Sequence, residues 1–219
     1  MKKYRDHYFE KAKRENYPAR SVYKLKEIDK ALKILRPGAK ILDLGASPGS
    51  WSLFAAERIG PGGLVVAVDL NPPGAEFPRN VTFVQDDAFA PGPELARLLA
   101  AVSPFDLVIS DMAPKTTGIK LTDQTRSLEL CECAFELSKR HLRQGGHLLV
   151  KIFQGPDFKA FMDSLKPFFT TIKGFKPESS RAESKEMFLA ALGAKFHPDK
   201  GEGASEGAAE KNASGGQRD

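Results

Sequence analysis

The chain has 219 residues, 41% of them hydrophobic, which is long and apolar enough for one domain with a complete core. It has no apolar run of about 18 residues, and no apolar stretch follows its charged start, so we expect neither a transmembrane helix nor a secretory signal. Cys131 and Cys133 lack the spacing of a zinc site or a redox pair, which favours reduced thiols in a cytoplasmic protein. The four histidines are scattered and predict no metal site.

Positive charge is concentrated at the start of the chain. Residues 1–40 hold 13 Lys and Arg against 5 Asp and Glu, a net of +8, whereas the remaining residues sum to −3. Within residues 1–20 the basic side chains are interspersed with Tyr4, Tyr8, Phe9 and Tyr17. Phosphates attract cations and unpaired bases stack on aromatic rings, so this composition suits RNA. We predict a basic RNA-contacting arm at 1–20, with a solvated charged face as the alternative.

Hydrophobic spacing predicts the elements that follow. Apolar residues recur at helical intervals from Ser21 to Leu35, and Pro37-Gly38 ends this helix. Short apolar runs then predict seven strands, at Lys40–Leu44, Leu64–Asp69, Val81–Gln85, Leu107–Ser110, His147–Phe153, Thr170–Phe175 and Met187–Leu192. Further helices are predicted at about Gly49–Ile59, Pro93–Val102, 124–142 and Asp157–Leu165, and Gly145-Gly146 is predicted to end the helix over 124–142. Residues 196–219 are mostly small or charged, so a disordered polar tail is predicted after a single domain at 21–195.

Strands that alternate with helices, most of them continuously apolar, indicate an α/β fold. We expect an open, mainly parallel sheet with helices on both faces. Ligands of such sheets bind beyond the carboxyl ends of the strands. The sequence therefore directs attention to the loops that follow the predicted strands.

The first predicted strand runs into the loop Asp43-Leu44-Gly45-Ala46-Ser47-Pro48-Gly49-Ser50-Trp51. Glycines at this place let the backbone approach a ligand closely. A dinucleotide site is the alternative, but it needs Gly-x-Gly-x-x-Gly and backbone amides for a pyrophosphate. This loop has no Gly-x-Gly, and Pro48 removes one N–H group. A ligand without phosphate fits better.

The pattern Asp-x-Gly-x-x-Pro-Gly resembles motif I of the class I S-adenosylmethionine methyltransferases. That resemblance implies a Rossmann-like sheet of seven strands, mostly parallel, with an antiparallel last strand. It also implies that Asp43, Gly45 and Gly49 bind S-adenosylmethionine, whose product is S-adenosylhomocysteine.

Acidic residues also follow the second and third predicted strands. By the same resemblance, Asp69 would accept hydrogen bonds from the cofactor's ribose hydroxyls. Asp87 would accept from the adenine amino group, with Asp86 as the alternative. A carboxylate suits both tasks because it only accepts hydrogen bonds. A turn or helix cap is the ordinary reason for one such aspartate, but three at successive strand ends favour a binding site.

Four charged residues stand where a purely structural role is hard to justify. Asp111 follows the fourth strand, Lys151 interrupts the fifth, and Glu186 opens the last. A lysine in a buried strand is costly unless it is paired or reaches solvent. Lys24 lies about 70° from the centre of the apolar stripe of its helix. If the last strand is antiparallel, Glu186 reaches the same sheet edge as Asp111 and Lys151.

Four segments carry a more specific resemblance, to the FtsJ/RrmJ (RlmE) family of ribose 2'-O-methyltransferases. They are Arg20-Ser21-Val22-Tyr23-Lys24-Leu25, Ser110-Asp111-Met112-Ala113-Pro114, Val150-Lys151-Ile152-Phe153-Gln154-Gly155 and Ser179-Ser180-Arg181-Ala182. The resemblance spans about Asp6 to Leu192. It implies that a catalytic tetrad falls on Lys24, Asp111, Lys151 and Glu186, in which Asp111 would hold Lys151 and also lie at the cofactor, near the methyl donor.

The same resemblance implies the reaction and its partners. It indicates methylation of a uridine 2'-hydroxyl in 23S, large-subunit ribosomal RNA, late in subunit assembly. Separately, we expect the enzyme to be a monomer and to use no metal. Trp51 matches a position that the family uses at the cofactor, with ordinary helix packing as the alternative. Ser50 departs from the glycine common at its position, a harmless change if Gly49 performs the backbone role.

The sequence leaves the role of Lys151 open. The methyl group of a sulfonium is already electrophilic, so an enzyme must mainly align the partners and remove a proton. Lysine acts as a base only where burial or a like charge favours its neutral form. Lys24 would supply a like charge that favours the neutral form of Lys151, whereas the negative charges of Asp111 and Glu186 would favour its protonated form. Lys151 is therefore the general base or the group that orients the hydroxyl.

Other functions remain as alternatives. They are ribose methylation of transfer RNA, a non-catalytic RNA-binding or ribosome-assembly factor, and an oxidoreductase. The intact tetrad argues against a simple binder, and the missing Gly-x-Gly argues against an oxidoreductase.

Overall fold

Seven strands form one mixed sheet in the computed structural model, which describes residues 7–181 and 184–198. The strands are β1 (Lys40–Leu44), β2 (Leu64–Asp69), β3 (Val81–Gln85), β4 (Phe105–Ser110), β5 (Leu142–Phe153), β6 (Phe169–Phe175) and β7 (Glu186–Ala194). Their order across the sheet is β3-β2-β1-β4-β5-β7-β6. The four strand pairs β3–β2, β2–β1, β1–β4 and β4–β5 are parallel. Strand β7 runs antiparallel to both of its neighbours, β5 and β6. The expectation of a mostly parallel sheet with an antiparallel last strand is confirmed.

Six helices of the described ranges cover the two faces of this sheet. They are α1 (His7–Arg14), α2 (Val22–Leu32), α3 (Ser50–Ile59), α4 (Pro93–Val102), α5 (Lys120–His141) and α6 (Phe158–Leu165). Helices α1 to α3 pack in one apolar core and α4 to α6 in the other. Neighbouring strand residues face opposite sides, so Ile41 joins the first core and Leu42 the second. No helix in these ranges is long and apolar enough to cross a bilayer.

Helix α1 is a feature that the sequence did not predict. It packs through Ala12, which is 2% exposed, and Tyr17 follows it into the core. The Tyr17 hydroxyl donates to Glu57 on α3 at 2.7 Å. A helix of eight residues with one buried position has too little periodicity to be recognised. Much of the predicted arm is therefore packed against the domain, while residues 1–6 lie outside the described ranges.

The far end of the fold also extends beyond the predicted boundary at 195. The Phe196 ring lies edge-on to Phe169, with 5.7 Å between ring centroids, and also contacts Phe168. These contacts make Phe196 part of the second core. The predicted polar tail from 199 to 219 lies outside the described residues.

The junction of α5 and β5 differs from the prediction. Gly145-Gly146 was expected to end the helix, but the helix ends at His141 and the strand begins at Leu142. Leu142 is fully buried and pairs with Phe105, after which the register shifts before Leu107 pairs with His147. The two glycines therefore lie in the irregular start of a strand, where Gly145 has a φ of 75°. Burial of Leu142 overrides the local helix-stop pattern.

Candidate active site

The sheet order changes direction between β1 and β4, which places a crevice at their carboxyl ends. From β1 the chain first builds outward through β2 and β3, and then returns to add β4 on the other side. In open α/β sheets this switch point is where ligands bind. The glycine loop leaves β1 there, and Asp111 follows β4 there. The sheet topology thus brings two of the predicted site regions together.

Asp43 lies at the floor of this crevice and is 1% exposed. Its Oδ2 accepts a hydrogen bond from the Ser52 hydroxyl at 2.6 Å, while its buried Oδ1 has no partner within the described residues. Burial, together with the negative charges of Asp111 and Asp69, raises the pKa of Asp43 to about 7, although the Ser52 hydrogen bond acts in the opposite direction. Asp43 therefore offers an unsatisfied acceptor inside the crevice.

The two glycines of the loop adopt backbone conformations that disfavour other residues. Gly45 has a φ of 74° and Gly49 a φ of 113°. A Cβ at Gly45 would overlap the Met112 side chain, and one at Gly49 would lie 2.8 Å from the Phe77 ring. The positive φ angles and the lack of room for a Cβ atom therefore both require glycine at these positions, as the motif predicts.

Asp69 connects the glycine loop to the loop after β2. Its Oδ2 accepts from the Ser47 amide at 2.9 Å, and its Oδ1 accepts from the Asn71 amide at 2.8 Å and the Asn71 side chain at 3.0 Å. The carboxylate thus stabilises two loops of the crevice. Its contact with a cofactor ribose stays a prediction.

The adjacent carboxylates of Asp86 and Asp87 have different surroundings. Both oxygens of Asp86 accept backbone amides, from Asp87 at 2.8 Å and Gly92 at 2.9 Å. Asp87 accepts the Phe89 amide through Oδ1 alone among the described residues. Both oxygens of Asp86 therefore hold the loop, whereas Asp87 Oδ2 has no partner among the described residues. A contact of Asp87 with the adenine amino group stays a prediction.

Lys151 is buried in β5 and forms an ion pair with Asp111. Its side chain is 8% exposed, and Nζ lies 2.9 Å from Asp111 Oδ1. Nζ also donates to the Asp111 backbone carbonyl. This pairing compensates the cost of placing a lysine in a central strand. The expectation that Asp111 holds Lys151 agrees with this geometry.

Lys24 and Glu186 form a second ion pair that is partly exposed, with Nζ 2.7 Å from Oε1 and side chains 13% and 12% exposed. Burial raises the pKa of Glu186, but the hydrogen bond and charge of Lys24, together with the charge of Lys151, outweigh it and leave that pKa lowered. Antiparallel pairing sets Lys151 opposite Phe188, two residues beyond Glu186. The Lys24 Nζ lies 5.8 Å from the Phe188 ring. The four charged residues therefore meet at one sheet edge as two adjoining pairs.

Trp51 lies in the wall beside these pairs. It is 3% exposed, its indole N–H donates to the Ser21 carbonyl at 2.9 Å, and its ring centroid lies 5.6 Å from that of Phe188. These contacts join α3 to the start of α2 and to β7. These contacts show that Trp51 packs between the helices and β7, whereas a contact of Trp51 with the cofactor stays a prediction.

Two residues without an assigned role anchor the segment before Glu186. The Glu27 carboxylate accepts the amides of Glu178 at 2.6 Å and Ser179 at 3.0 Å. The Arg20 guanidinium donates to the Ser179 carbonyl. The sequence contained the resembling segment around Ser179, but nothing in it linked that segment to α2. Only the fold brings these distant parts of the chain together.

Metal-binding groups are not clustered in the described ranges: no three His, Cys, Asp or Glu residues there are placed to hold an ion. The crevice instead combines an unpaired buried acceptor, two obligatory glycines and two lysine–carboxylate pairs. Such an arrangement can bind a polar ligand and hold a lysine nitrogen at a fixed position beside it.

Known proteins resemble this chain along nearly its whole described length. A protein named Ribosomal RNA large subunit methyltransferase E from Oleidesulfovibrio alaskensis is 59% identical over 199 residues, covering 91% of this chain and 96% of the relative. One of the same name from Bdellovibrio bacteriovorus is 48% identical over 192 residues, covering 87% and 97%. A solved ribosomal RNA methyltransferase structure from Plasmodium falciparum has a TM-score of 0.73 at 24% identity, covering 83% of this chain and all of that one, and shows the likeness of fold. Residues 17–194 match the family model described as FtsJ-like methyltransferase, and the chain belongs to that family.

Proposed function

We propose that this methyltransferase transfers a methyl group from S-adenosylmethionine to the 2'-hydroxyl of a uridine in 23S, large-subunit ribosomal RNA. The observation that carries the proposal is the presence of two ion pairs, Lys151–Asp111 and Lys24–Glu186, beside the glycine loop. The names of its relatives, which are 59% and 48% identical, support the class of substrate.

The residues of the crevice fit S-adenosylmethionine. Asp43 has a buried carboxylate oxygen without a hydrogen-bond partner among the described residues, and Gly45 and Gly49 adopt the positive φ angles that bend the loop around the end of β1. Asp69 and Asp87 would accept from the ribose hydroxyls and the adenine amino group. The cofactor, when bound, supplies an electrophilic methyl group on a sulfonium. No pyrophosphate-binding pattern competes with this assignment.

Lys151 is the group that we place at the reacting hydroxyl. Its Nζ has three positions for hydrogen bonds, and Asp111 occupies two of them. The third is available for the ribose oxygen, either to accept its proton or to orient it by a hydrogen bond. Fixing Nζ in this way removes the freedom of a long side chain before substrate binds.

Lys24 and Glu186 complete the site through their own ion pair. The pKa of Glu186 is lowered, so its carboxylate is anionic at neutral pH and balances the charge of Lys24, while Asp111 pairs with Lys151. Lys24 brings a fixed cation near a polyanionic substrate. We propose that this pair positions the ribose and supports Lys151.

The substrate also contacts the basic N-terminal arm in this proposal. Residues 1–40 carry a net charge of +8, and α1 ends in Lys11, Lys13 and Arg14. A small arm gives limited RNA contact, so we propose that the assembled large subunit supplies further contacts. We place the enzyme in the cytoplasm, where ribosomes are assembled, and expect it to act as a monomer.

The test is to incubate the protein with labelled S-adenosylmethionine and large ribosomal subunits that lack the modification. Ribose methylation is then mapped by resistance of the RNA backbone to alkaline cleavage. Label at one ribose of the subunit RNA is the expected result. Label on a base or on protein would overturn the proposal. RNA binding without any methyl transfer would favour a non-catalytic assembly factor.

A further inference from the structure

A cleft lies outside the crevice, between α1 and the loop that follows β2. Its volume is about 350 Å³, at the lower end of the roughly 300–1,000 Å³ typical of small-molecule sites. Phe9, Lys13 and Asn16 line one side, and the backbone at Gly74 and Ala75 lines the other. The cleft has room for one flat ring system with its attached sugar.

The side chains on the α1 wall form a coherent set. Phe9 and Lys13 are four residues apart on one face of α1, and Asn16 lies in the turn that follows the helix. Phe9 is 56% exposed although it is a large apolar ring. Lys13 is exposed and forms no ion pair within the described part of the chain. An exposed ring beside a cation and a carboxamide can stack on a base, bind its phosphate and contact its edge.

Asn16 holds its place by an uncommon backbone conformation. Its φ is 59°, and its amide donates to the Lys13 carbonyl at 3.2 Å. Asparagine at this position ends the helix and tolerates the left-handed region. Asn16 is thereby fixed among the residues that line the cleft.

The cleft adjoins both halves of the active site. On one side, the Gly74 amide donates to the Pro48 carbonyl of the glycine loop at 3.0 Å, and the Ala19 amide donates to the Ser50 hydroxyl at 2.7 Å. On the other side, Arg20 lines the cleft and contacts the Ser179 carbonyl, in the segment that leads to Glu186. A chain of nucleotides lying across the tetrad therefore has a neighbouring pocket at Arg20.

We propose that this cleft binds the base of a nucleotide that flanks the target ribose. The base stacks on Phe9, Lys13 binds the adjoining phosphate, and Asn16 contacts the base edge. The proposal rests on the proposed function for its RNA substrate. It adds a base-binding subsite to an enzyme whose tetrad acts only on ribose.

Direct RNA binding tests the subsite without requiring methyl transfer. The probes are a fluorescent single-stranded oligouridylate and an abasic oligonucleotide of the same length and charge. We expect Phe9→Ala to weaken binding of the oligouridylate about fivefold or more and to leave the abasic probe unchanged, because the base loses its stacking partner. Phe9→Trp should restore the preference for the base-containing probe.

Two further variants separate charge from base recognition. Lys13→Ala should weaken the binding of both probes equally. It should also reduce the slope of log affinity against log salt concentration by about one, because one phosphate contact is lost. Asn16→Gly should weaken only the oligouridylate, since glycine accepts the same φ and lacks the carboxamide. As a control, Lys173→Ala removes an exposed lysine of β6 that does not line the cleft, and it should change the binding of neither probe. Melting temperature and affinity for S-adenosylmethionine should be unchanged in every variant.

The outcomes distinguish the subsite from the proposed function. If Phe9→Ala weakens both probes equally or neither, the base-binding subsite is wrong, whatever the methylation assay gives. A weaker affinity for S-adenosylmethionine would also overturn it, because the cleft would then belong to the cofactor site. A different result would overturn only the proposed reaction. In that case Phe9→Ala loses its preference for the base-containing probe, so the base-binding subsite stands, but the wild-type protein methylates no ribose.

Discussion

Nζ of Lys24 lies 2.7 Å from Oε1 of Glu186, and this ion pair joins helix α2 to the first residue of β7. Both side chains are nearly nine-tenths buried, so the pair is largely shielded from solvent. Removing one partner leaves the other charge buried without its counterion, which is costly. The pair therefore links the position of α2 to the geometry of the candidate active site.

A double-mutant cycle should reveal this link. We expect Lys24→Met and Glu186→Gln each to lower the free energy of unfolding, and the double variant to lose less than the sum of the two. The coupling should be about 1–3 kcal/mol, because each single change leaves an uncompensated group. Urea unfolding of the four proteins measures it. Strictly additive losses would contradict a direct interaction.

Lys151→Met should abolish most methyl transfer while leaving the fold intact. Methionine keeps the apolar volume in β5 but cannot contact the ribose hydroxyl. We expect kcat to fall by a factor of about a hundred or more, the usual scale for a general base, with an unchanged affinity for S-adenosylmethionine. Single-turnover methylation and calorimetry give the two quantities.

The matched control is Lys173→Met, which changes an exposed lysine of a different strand. It should retain the wild-type rate. If Lys151→Met also retained near-normal turnover, the assignment of Lys151 to the reacting hydroxyl would be wrong.

Asp43 should make the stability of the ligand-free protein depend on pH. Its pKa is about 7 in the folded state, because of burial, against about 4 in an unfolded chain. Between these values the folded state keeps a proton that the unfolded state has lost, so the free energy of unfolding falls as pH rises and levels off above about pH 7. Asp43→Asn removes this contribution.

The variant should therefore show a shallower decline from about pH 4 to about pH 7, and exceed the wild type in stability at about pH 8 by a few kcal/mol at most. Urea unfolding across this range is the measurement. Parallel pH profiles for the two proteins would mean that the Asp43 carboxyl does not retain its proton in the fold.

Alanine substitutions at Gly62, Gly38 and Gly45 should separate the cost of backbone strain from the cost of steric overlap. Gly62→Ala should have little effect, since it has no positive φ and no atom near the added Cβ. Gly38→Ala, with a φ of 77° and open space, should cost about 1–2 kcal/mol for the strain alone. Gly45→Ala adds overlap with Met112 and should cost more.

Only Gly45→Ala should also weaken binding of S-adenosylmethionine, measured by calorimetry at a temperature where all three variants are folded. An affinity unchanged from the wild type would show that the Gly45 bend lies outside the cofactor site.

Local pattern was sufficient for the elements with a strong apolar signal. The bounds of β1, β2, β3 and α4 agree with the prediction, because each is a short run enclosed by polar or turn residues. The local pattern failed where the burial of a side chain in the tertiary structure decided whether an element forms or where it begins. Helix α1 is held by Ala12 and Tyr17 against the core, and β5 begins at Leu142 because that side chain fills the space beside Phe105.

The sequence by itself determined the chemistry that is present: the glycine loop, the acids at the strand ends, and the resemblance that singled out Lys24, Asp111, Lys151 and Glu186. It did not determine how these groups combine, since residues far apart in the chain have no local signal for contact. The antiparallel entry of β7 places Glu186 beside Lys24 and leaves Lys151 to Asp111. The cleft at Phe9 likewise exists only because α1 folds back toward the loop after β2.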